Sequence, residues 1–587
     1  MRPDGAADTV PWWQEAVFYQ VYPRSFADSD GDGVGDLAGI RTHLADLSWL
    51  GVDALWISPF FRSPMADFGY DVSDYCDVDP LFGDLATFDA LVAEAHALGM
   101  RVVIDWVPNH TSDQHPWFLD ASSSRDSPRR NWYVWRDPSP DGTPPNNWVA
   151  AFDLTAPAWT FHEPSGQWYL HLFESAQPDL NWDEPEVVAA MHDTLRFWLD
   201  RGVDGFRADV VHGIGKDPSL PDDPPEVAGI PHCALNDEPV THERLRAIRT
   251  LVDGFRADVV HGIGKDPSLP DDPPAVAGIP HCALNDVAVT HERLRAIRTL
   301  IDSYPGERMM VGEVFLLSTE AVATYYGGDD ELHLAFNFPP LFAPWLADRW
   351  SACIDETRRA LDPRGAWPTW VLSNHDNPRH RTRYDRAAAR VGESPTVTAR
   401  RSEARARAAA VLLLTLRGTP FVYQGDELGL EDAVIPEGHA VDPGGRDGCR
   451  ALLAWDGSAD HGWPVADGVT PWLPLAPDAD SRNRVAQRAD PHSILHLYRR
   501  TIAARKAVPA LALGSFDPVP SPDGTLAYRR RLGGDTCTVL INFTGNVVDM
   551  AMPGLEGADV LLQSDDPDPV DGFGGALGPD QAVVLAR

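Results

Sequence analysis

Eight short apolar runs, each parted from the next by an amphipathic helical stretch, predict an α/β chain closed into a (β/α)8 TIM barrel, because strands alternating with helices build a parallel sheet and eight strands close it. Two departures from that rhythm complete the architecture. The stretch 111–183, rich in Pro, Trp, Asp and Ser, is too long for a βα loop and predicts a subdomain inserted after strand three. Past Pro509, short alternating strands separated by Gly, Asp and Pro turns predict a C-terminal antiparallel β domain over 509–587. The barrel then occupies 11–110 and 184–508.

The expected strands are 16–22, 54–60, 101–107, 205–211, 309–315, 333–338, 369–373 and 420–423. Apolar residues at three- and four-residue intervals place helices over 37–50, 85–98, 185–199, 243–251 with a copy at 292–300, 345–361, 402–416 and 491–505. In the last domain, strands are expected at 526–532, 536–543 and 581–585. The aromatic residues of the inserted subdomain (Trp132, Tyr133, Trp135, Trp148, Trp159, Trp168) read chiefly as its packing.

One stretch occurs twice. Residues 205–253 recur as 254–302, differing only at Glu226/Ala275, Glu238/Val287, Pro239/Ala288 and Val252/Ile301. Two copies are too few for a solenoid, so the repeat is a segmental duplication inside one domain. Only one copy of Gly-Phe-Arg-Ala-Asp-Val-Val can be strand four. Copy one follows a natural helix stop, with Gly202 suited to a left-handed C-cap, whereas copy two runs directly into Ser303-Tyr304-Pro305-Gly306. Copy one is therefore expected to supply the strand and copy two the helix, which leaves Asp258 outside the catalytic set and the intervening residues extruded on the catalytic face.

The 587 residues, 43% hydrophobic and 23% charged, are of ordinary globular composition. The net charge of -38 argues against nucleic acid and anionic membrane partners and leaves small neutral molecules. Residues 1–14 show no signal-peptide pattern and no apolar run is long enough to span a bilayer, so a soluble, cytoplasmic protein is expected, monomeric or weakly self-associating. Cys76, Cys233, Cys282, Cys353, Cys449 and Cys537 lack metal-knot spacing and are expected as free thiols.

A (β/α)8 barrel carries its active site at the C-terminal ends of its strands. Asp105, Asn109 and His110 end strand three; Arg207, Asp209 and His212 lie on or after strand four; Glu313 follows strand five; Asn374, His375 and Asp376 follow strand seven. Three carboxylates at such ends suit cleavage of a glycosidic bond, one attacking the anomeric carbon while another protonates the leaving oxygen. Arg207, two residues before Asp209 and so on the same strand face, can hold that nucleophile ionised.

Asp105-Trp106-Val107-Pro108-Asn109-His110, Gly205-Phe206-Arg207-Ala208-Asp209, Gly312-Glu313-Val314-Phe315 and Ser373-Asn374-His375-Asp376 together resemble the four motifs of the α-amylase superfamily, glycoside hydrolase family 13. The resemblance spans the whole chain. It implies Asp209 as nucleophile, Glu313 as general acid/base and Asp376 as the third carboxylate. It also implies that Tyr70, Asp71, His110, Phe173, Gln177, Arg207, His375 and Arg450 bind the reacting sugar. Where the family usually has a proline two residues after that arginine, Leu452 stands.

Gln177-Pro178-Asp179-Leu180-Asn181 resembles the marker of the oligo-1,6-glucosidase and α-glucosidase subfamilies, which implies an exo-acting, retaining α-glucosidase. The alternatives are oligo-1,6-glucosidase specificity, which Val210 resembles, trehalose synthase-like transfer, a non-catalytic sugar-binding relative, or an enzyme impaired by the duplication. Asp28, Asp30, Asp32 and Asp36 are evenly spaced in a Gly-rich loop and suit a hard cation bound through oxygen. The loop resembles the calcium loop of oligo-1,6-glucosidase-like enzymes, which implies a structural Ca2+ or Mg2+ on these four carboxylates and the Val34 carbonyl, with no organic cofactor.

Overall fold

The computed structural model describes residues 10–586, apart from 153–155, 217–218, 221, 223–287, 317, 387–394, 467, 551, 553, 556 and 568–571. Its centre is one eight-stranded parallel sheet: β1 Phe18–Val21, β2 Ala54–Ile57, β3 Arg101–Trp106, β4 Gly205–Ala208, β5 Met309–Gly312, β6 Leu334–Ala335, β7 Thr369–Val371 and β8 Thr419–Tyr423. The order β6-β5-β4-β3-β2-β1-β8-β7 is that of a (β/α)8 barrel, and each strand falls inside or within a residue of the run expected for it. The observed strands are shorter because the polar residues at their C-terminal ends leave the ladder and turn into the rim.

Among the described residues no backbone ladder joins β6 to β7. That seam is bridged by two side-chain hydroxyls: Thr369 Oγ1 donates to the Ala335 carbonyl at 2.7 Å and accepts from Asn337 N at 3.2 Å, and Tyr326 OH accepts from Ala335 N at 3.1 Å and donates to the Trp367 carbonyl at 2.9 Å.

The lumen is packed by alternate residues of each strand, among them Phe18, Trp56, Val103, Met309, Val311, Val371 and Phe421. The opposite faces of the strands pack against helices that include α1 Leu85–Ala97, α2 Pro185–Asp200, α3 Ala288–Asp302, α4 Ala347–Leu361, α5 Pro395–Thr415 and α6 Ile494–Ala507. The expected helix over 37–50 is two, Leu37–Thr42 and Leu44–Leu50, broken at His43.

The duplication resolves as the flanking residues dictate. α2 ends at Asp200, Gly202 takes φ +96° and donates to the Leu199 carbonyl, and copy one enters the sheet as β4. Gly205 suits the β4–β5 contact because a Cβ there would stand 2.4 Å from the Met309 carbonyl oxygen. The helix before β5, α3, belongs to copy two. Asp258, Cys233 and Cys282 lie outside the described residues, as does the segment expected to be extruded. Cys76, Cys353, Cys449 and Cys537 are not joined in a disulfide.

The inserted subdomain is built on a small antiparallel sheet of Trp135–Arg136, Gln167–Leu170 and Trp159–His162. Trp132, Tyr133, Trp135, Trp148 and Trp159 are buried, as expected of packing residues. The C-terminal domain is a five-stranded antiparallel sheet, ordered β9 Ser515–Val519, β10 Thr525–Leu532, β11 Asp535–Asn542, β13 Ala582–Ala586 and β12 Asp559–Gln563. β9 and β12 carry Pro518 and Asp559 at an edge and were not legible as strands. No described helix is long and apolar enough to cross a membrane.

Replacing Thr369 by valine keeps the β-branched shape and strips the seam of one of its two bridging hydroxyls, leaving the Asn337 N–H and Ala335 C=O without that partner. A loss of about 1–3 kcal/mol is expected, read as a lowered barrel melting temperature by calorimetry.

Candidate active site

The floor of the site is set by strand pleat and register. Arg207 and Asp209 share the lumen face of β4 and its extension, and the β3–β4 register sets Asp105 directly opposite Arg207. The buried guanidinium donates from Nη1 to Asp105 Oδ1 at 2.6 Å and to Asp209 Oδ1 at 2.5 Å, while Nη2 pairs with Glu313 Oε2 at 2.7 Å. Asp105 is held from its other side by Trp56 Nε1 at 2.9 Å. One cation thus answers three carboxylates from three consecutive strands.

The electrostatics follow from that arrangement. Burial pushes the Asp105 carboxyl up to about 6, with Arg207 opposing. Burial also raises Asp209 well above the usual carboxylate range; Arg207 pulls it down, and the negative charge of Glu313, within hydrogen-bonding reach, pushes it up again. Asp376 goes the other way: His375, Arg446, Arg450 and Arg207 outweigh burial and hold it well below that range. Burial drives His375 down to about 3 and lowers His110, so both imidazoles are neutral at pH 7.

Asp209, Glu313 and Asp376 line one cavity of about 250 Å3. Ligand pockets of about 300–1,000 Å3 are ordinary, so this one is of a size for a single ring rather than a chain. Tyr70, His110 and Phe173 also line it, as expected, together with Asp67, Phe152, Val210, His212, Phe315, Phe338 and Arg446.

Four other expected residues stand one layer back. Arg207 forms the floor. The imidazole of His375 takes Gln20 Nε2 at 2.7 Å on one side and the Tyr70 hydroxyl on the other. Gln177 Nε2 donates to Asp67 Oδ2 at 3.1 Å and faces His110 Nε2 at 3.0 Å. Arg450 is fully buried, donating to the His375 carbonyl, to Asp442 Oδ1 and to Asp376 Oδ1 at 3.2 Å.

Asp71 is a correction. Its carboxylate is spent on its own loop, accepting from Ser63 Oγ, Ala66 N and Asp67 N at 2.8–2.9 Å, and it does not line the cavity. Asp67, four residues earlier, does. Sequence reasoning also missed Phe152, Phe338 and Arg446; the last reaches the cavity and joins Asp67 Oδ1 at 2.5 Å to Asp376 Oδ1 at 3.2 Å. Its position in Arg446-Asp447-Gly448-Cys449-Arg450, one helical turn before Arg450, was the available signal. Leu452, in place of the family's proline, donates its N–H to the Pro474 carbonyl at 3.3 Å, a bond proline cannot make.

Val210 has φ +43° and ψ 37°, a left-handed conformation that is strained for a β-branched residue. The turn aims its N–H at Glu313 Oε2, 3.3 Å away, and swings the chain from β4 into the short helix Val211–Gly213. In the Asp28–Asp36 loop, carboxylate oxygens of Asp28, Asp30 and Asp36 converge within 4.8 Å of one another. Asp32 stays outside that group and accepts from Val34 N at 2.8 Å.

Comparison with known proteins places this geometry. The α-amylase catalytic-domain model matches residues 20–253 and again 246–514, the break falling within the duplication. A probable α-glucosidase of Rhizobium meliloti is 39% identical over 568 residues, covering 92% of this chain and 91% of that protein. An oligo-1,6-glucosidase of Parageobacillus thermoglucosidasius is 32% identical, covering 92% of each chain. Among solved structures, an α-glucosyl transfer enzyme matches with a TM-score of 0.82 and 37% identity over 98% of this chain and 100% of that one. The trehalulose synthase of Pseudomonas mesoacidophila matches with a TM-score of 0.79 and 31% identity, again over 98% and 100%. Fold, site and sequence agree, and the chain belongs to the α-amylase family of glycoside hydrolases.

Proposed function

We propose that this chain is a retaining, exo-acting α-glucosidase that releases terminal non-reducing glucose from short α-glucosides. The observation that carries the reading is the single-ring cavity with Asp209 and Glu313 bridged at its floor by one guanidinium. Carboxyls within reach of one guanidinium leave no room for the water that inversion needs between groups about 6.5–9.5 Å apart, which supports net retention. Asp209 attacks the anomeric carbon while Glu313 protonates the departing glycosidic oxygen, leaving a glucosyl ester on Asp209. Glu313 then takes a proton from water as the water opens that ester. Asp376 and Asp67, tied together by Arg446, grip hydroxyls of the same ring. Cytoplasmic location and a monomeric or weakly self-associating state remain part of the proposal.

A second reading, transfer of glucose to another hydroxyl, is favoured by the phenylalanines on the cavity wall (Phe152, Phe173, Phe315, Phe338), which can stack on an acceptor and shed water. Product analysis on concentrated maltose separates the two: free glucose alone supports hydrolysis, new disaccharides support transfer.

The loop 28–36 is proposed to hold Ca2+ or Mg2+. Among the described residues Asp28, Asp30 and Asp36 have no basic ion-pair partner, so the convergence of three carboxylates fits a hard cation. When bound, the ion would neutralise that charge and stiffen a loop that also bonds, through Gly31 and Gly33 carbonyls, to Ala466 N and Trp472 N.

Release of p-nitrophenol from p-nitrophenyl α-glucoside tests the catalytic set: Asp209→Asn is expected to lower kcat by roughly a thousandfold or more, while Asp258→Asn keeps parent kinetics. The reading is lost if Asp209→Asn stays active. Glu313→Gln removes the negative charge that raises Asp209, so the acidic limb of the kcat/KM profile on this activated substrate moves to lower pH; an unmoved limb breaks the pairing. Asp67→Asn is expected to raise KM with the melting temperature little changed, whereas Asp71→Asn lowers the melting temperature by loosening its loop. Treatment with EDTA lowers the melting temperature by a few degrees and Ca2+ restores it, as expected for a ligand of the native state alone.

A further inference from the structure

The chain has three lysines, Lys216, Lys265 and Lys506, and the first is buried beside the site. A lysine ammonium has three donors and no acceptor, so burying it demands three partners. Lys216 Nζ finds them on three separate segments. It donates to Asn109 Oδ1 at 3.0 Å beyond β3, donates to the Gly213 carbonyl at 2.9 Å in the turn after β4, and pairs with Asp179 Oδ2 at 3.0 Å in the segment that returns from the inserted subdomain.

Each partner is fully buried and holds part of the cavity wall. Asp179 Oδ1 accepts from Leu172 N, next to Phe173. Its Oδ2 accepts no hydrogen bond and is answered by the lysine's charge. Asn109 gives its carbonyl to Leu180 N and sets its amide 3.2 Å from His110 Nδ1. Gly213 closes the turn that begins at the strained Val210, its carbonyl accepting from Lys216 Nζ while its N–H returns to the Val210 carbonyl.

We propose that Lys216 is a positioning residue: a buried point charge that pins the inserted subdomain to the barrel rim and thereby fixes the opposing walls of the cavity, His110 and Phe173 on one side and Val210 with His212 on the other. It touches no sugar and acts through Asp179, Asn109 and Gly213. The pin also extends the use of copy one beyond the strand: after supplying β4 and the turn, copy one supplies the lysine that locks them; Lys265, its duplicate, lies outside the described residues. The kinetic consequence rests on the glucosidase reading above; the pin itself does not.

The test compares the full-length parent with Lys216→Met, Lys265→Met and the double variant Lys216→Met/Asp179→Asn, by hydrogen exchange and by kinetics on p-nitrophenyl α-glucoside. Lys216→Met strands the Asp179 carboxylate. Faster exchange is expected at residues 109–113 and 170–181 with the C-terminal sheet unchanged, and kcat/KM is expected to fall roughly tenfold or more, chiefly through KM. The double variant, with no buried charge left over, recovers part of both, and Lys265→Met matches the parent.

Parent-like exchange and kinetics in Lys216→Met overturn the proposal. So does exchange that rises evenly across the barrel, or Lys265→Met losing what Lys216→Met loses. If Lys216→Met does not fold, a folded double variant supports the charge pin and an unfolded one overturns it. A parent that hydrolyses no α-glucoside sinks the functional reading, while the exchange comparison still decides the pin.

Discussion

The Arg207 guanidinium is what the rest of the site depends on. Three carboxylates in the lumen of a packed barrel would repel one another at low dielectric, and an unpaired buried charge is costly. A planar fork with fixed donors resolves this by meeting Asp105, Asp209 and Glu313 from β3, β4 and β5 at once. The same contact does three things: it satisfies buried charge, fixes the relative positions of two reacting groups, and sets how readily Asp209 ionises. Lysine in its place would carry the charge without the geometry.

A second charge lattice, around Arg446 and Arg450, carries the opposite wall. Asp442 holds both arginines, and they in turn hold Asp376 and Asp67. Phe152 lies against the Arg446 guanidinium with its ring centroid 4.7 Å away, so the cation is covered on its open side by an apolar face. The cavity is therefore bounded by fixed dipoles and charges rather than by loose side chains, the condition under which electrostatic stabilisation needs no reorganisation.

All eight barrel strands were legible because a buried parallel strand reads as a short apolar run and the helices between repeat at a different period. The residues that end each strand were legible for the same reason: the polar side chain after an apolar run marks the rim. The duplication was decided by a helix stop, since Gly202 can take φ +96° and the junction at Asp253-Gly254 offers no equivalent lead-in. What could not be read was the division of labour within a loop. Asp67 and Asp71 lie four residues apart in one turn, and which carboxylate binds its own backbone and which faces the cavity depends on the path of that turn. Arg446 and Arg450 posed the same ambiguity one helical turn apart. β9 and β12 were missed because edge strands are short and tolerate Pro and Asp.

The seam between β6 and β7 has a consequence for how the barrel comes apart. Every other neighbouring pair of strands is stitched by backbone, so the ladder runs unbroken from β6 through β1 to β7 and its two ends meet across the hydroxyls of Thr369 and Tyr326. A cylinder stitched in this way has a lengthwise opening: parting at Thr369 costs no backbone ladder, whereas parting anywhere else breaks one. The first step of unfolding would then be an uncurling of an otherwise intact sheet, with β6 and β7 as its free margins and the acids of β4 and β5 still side by side on it.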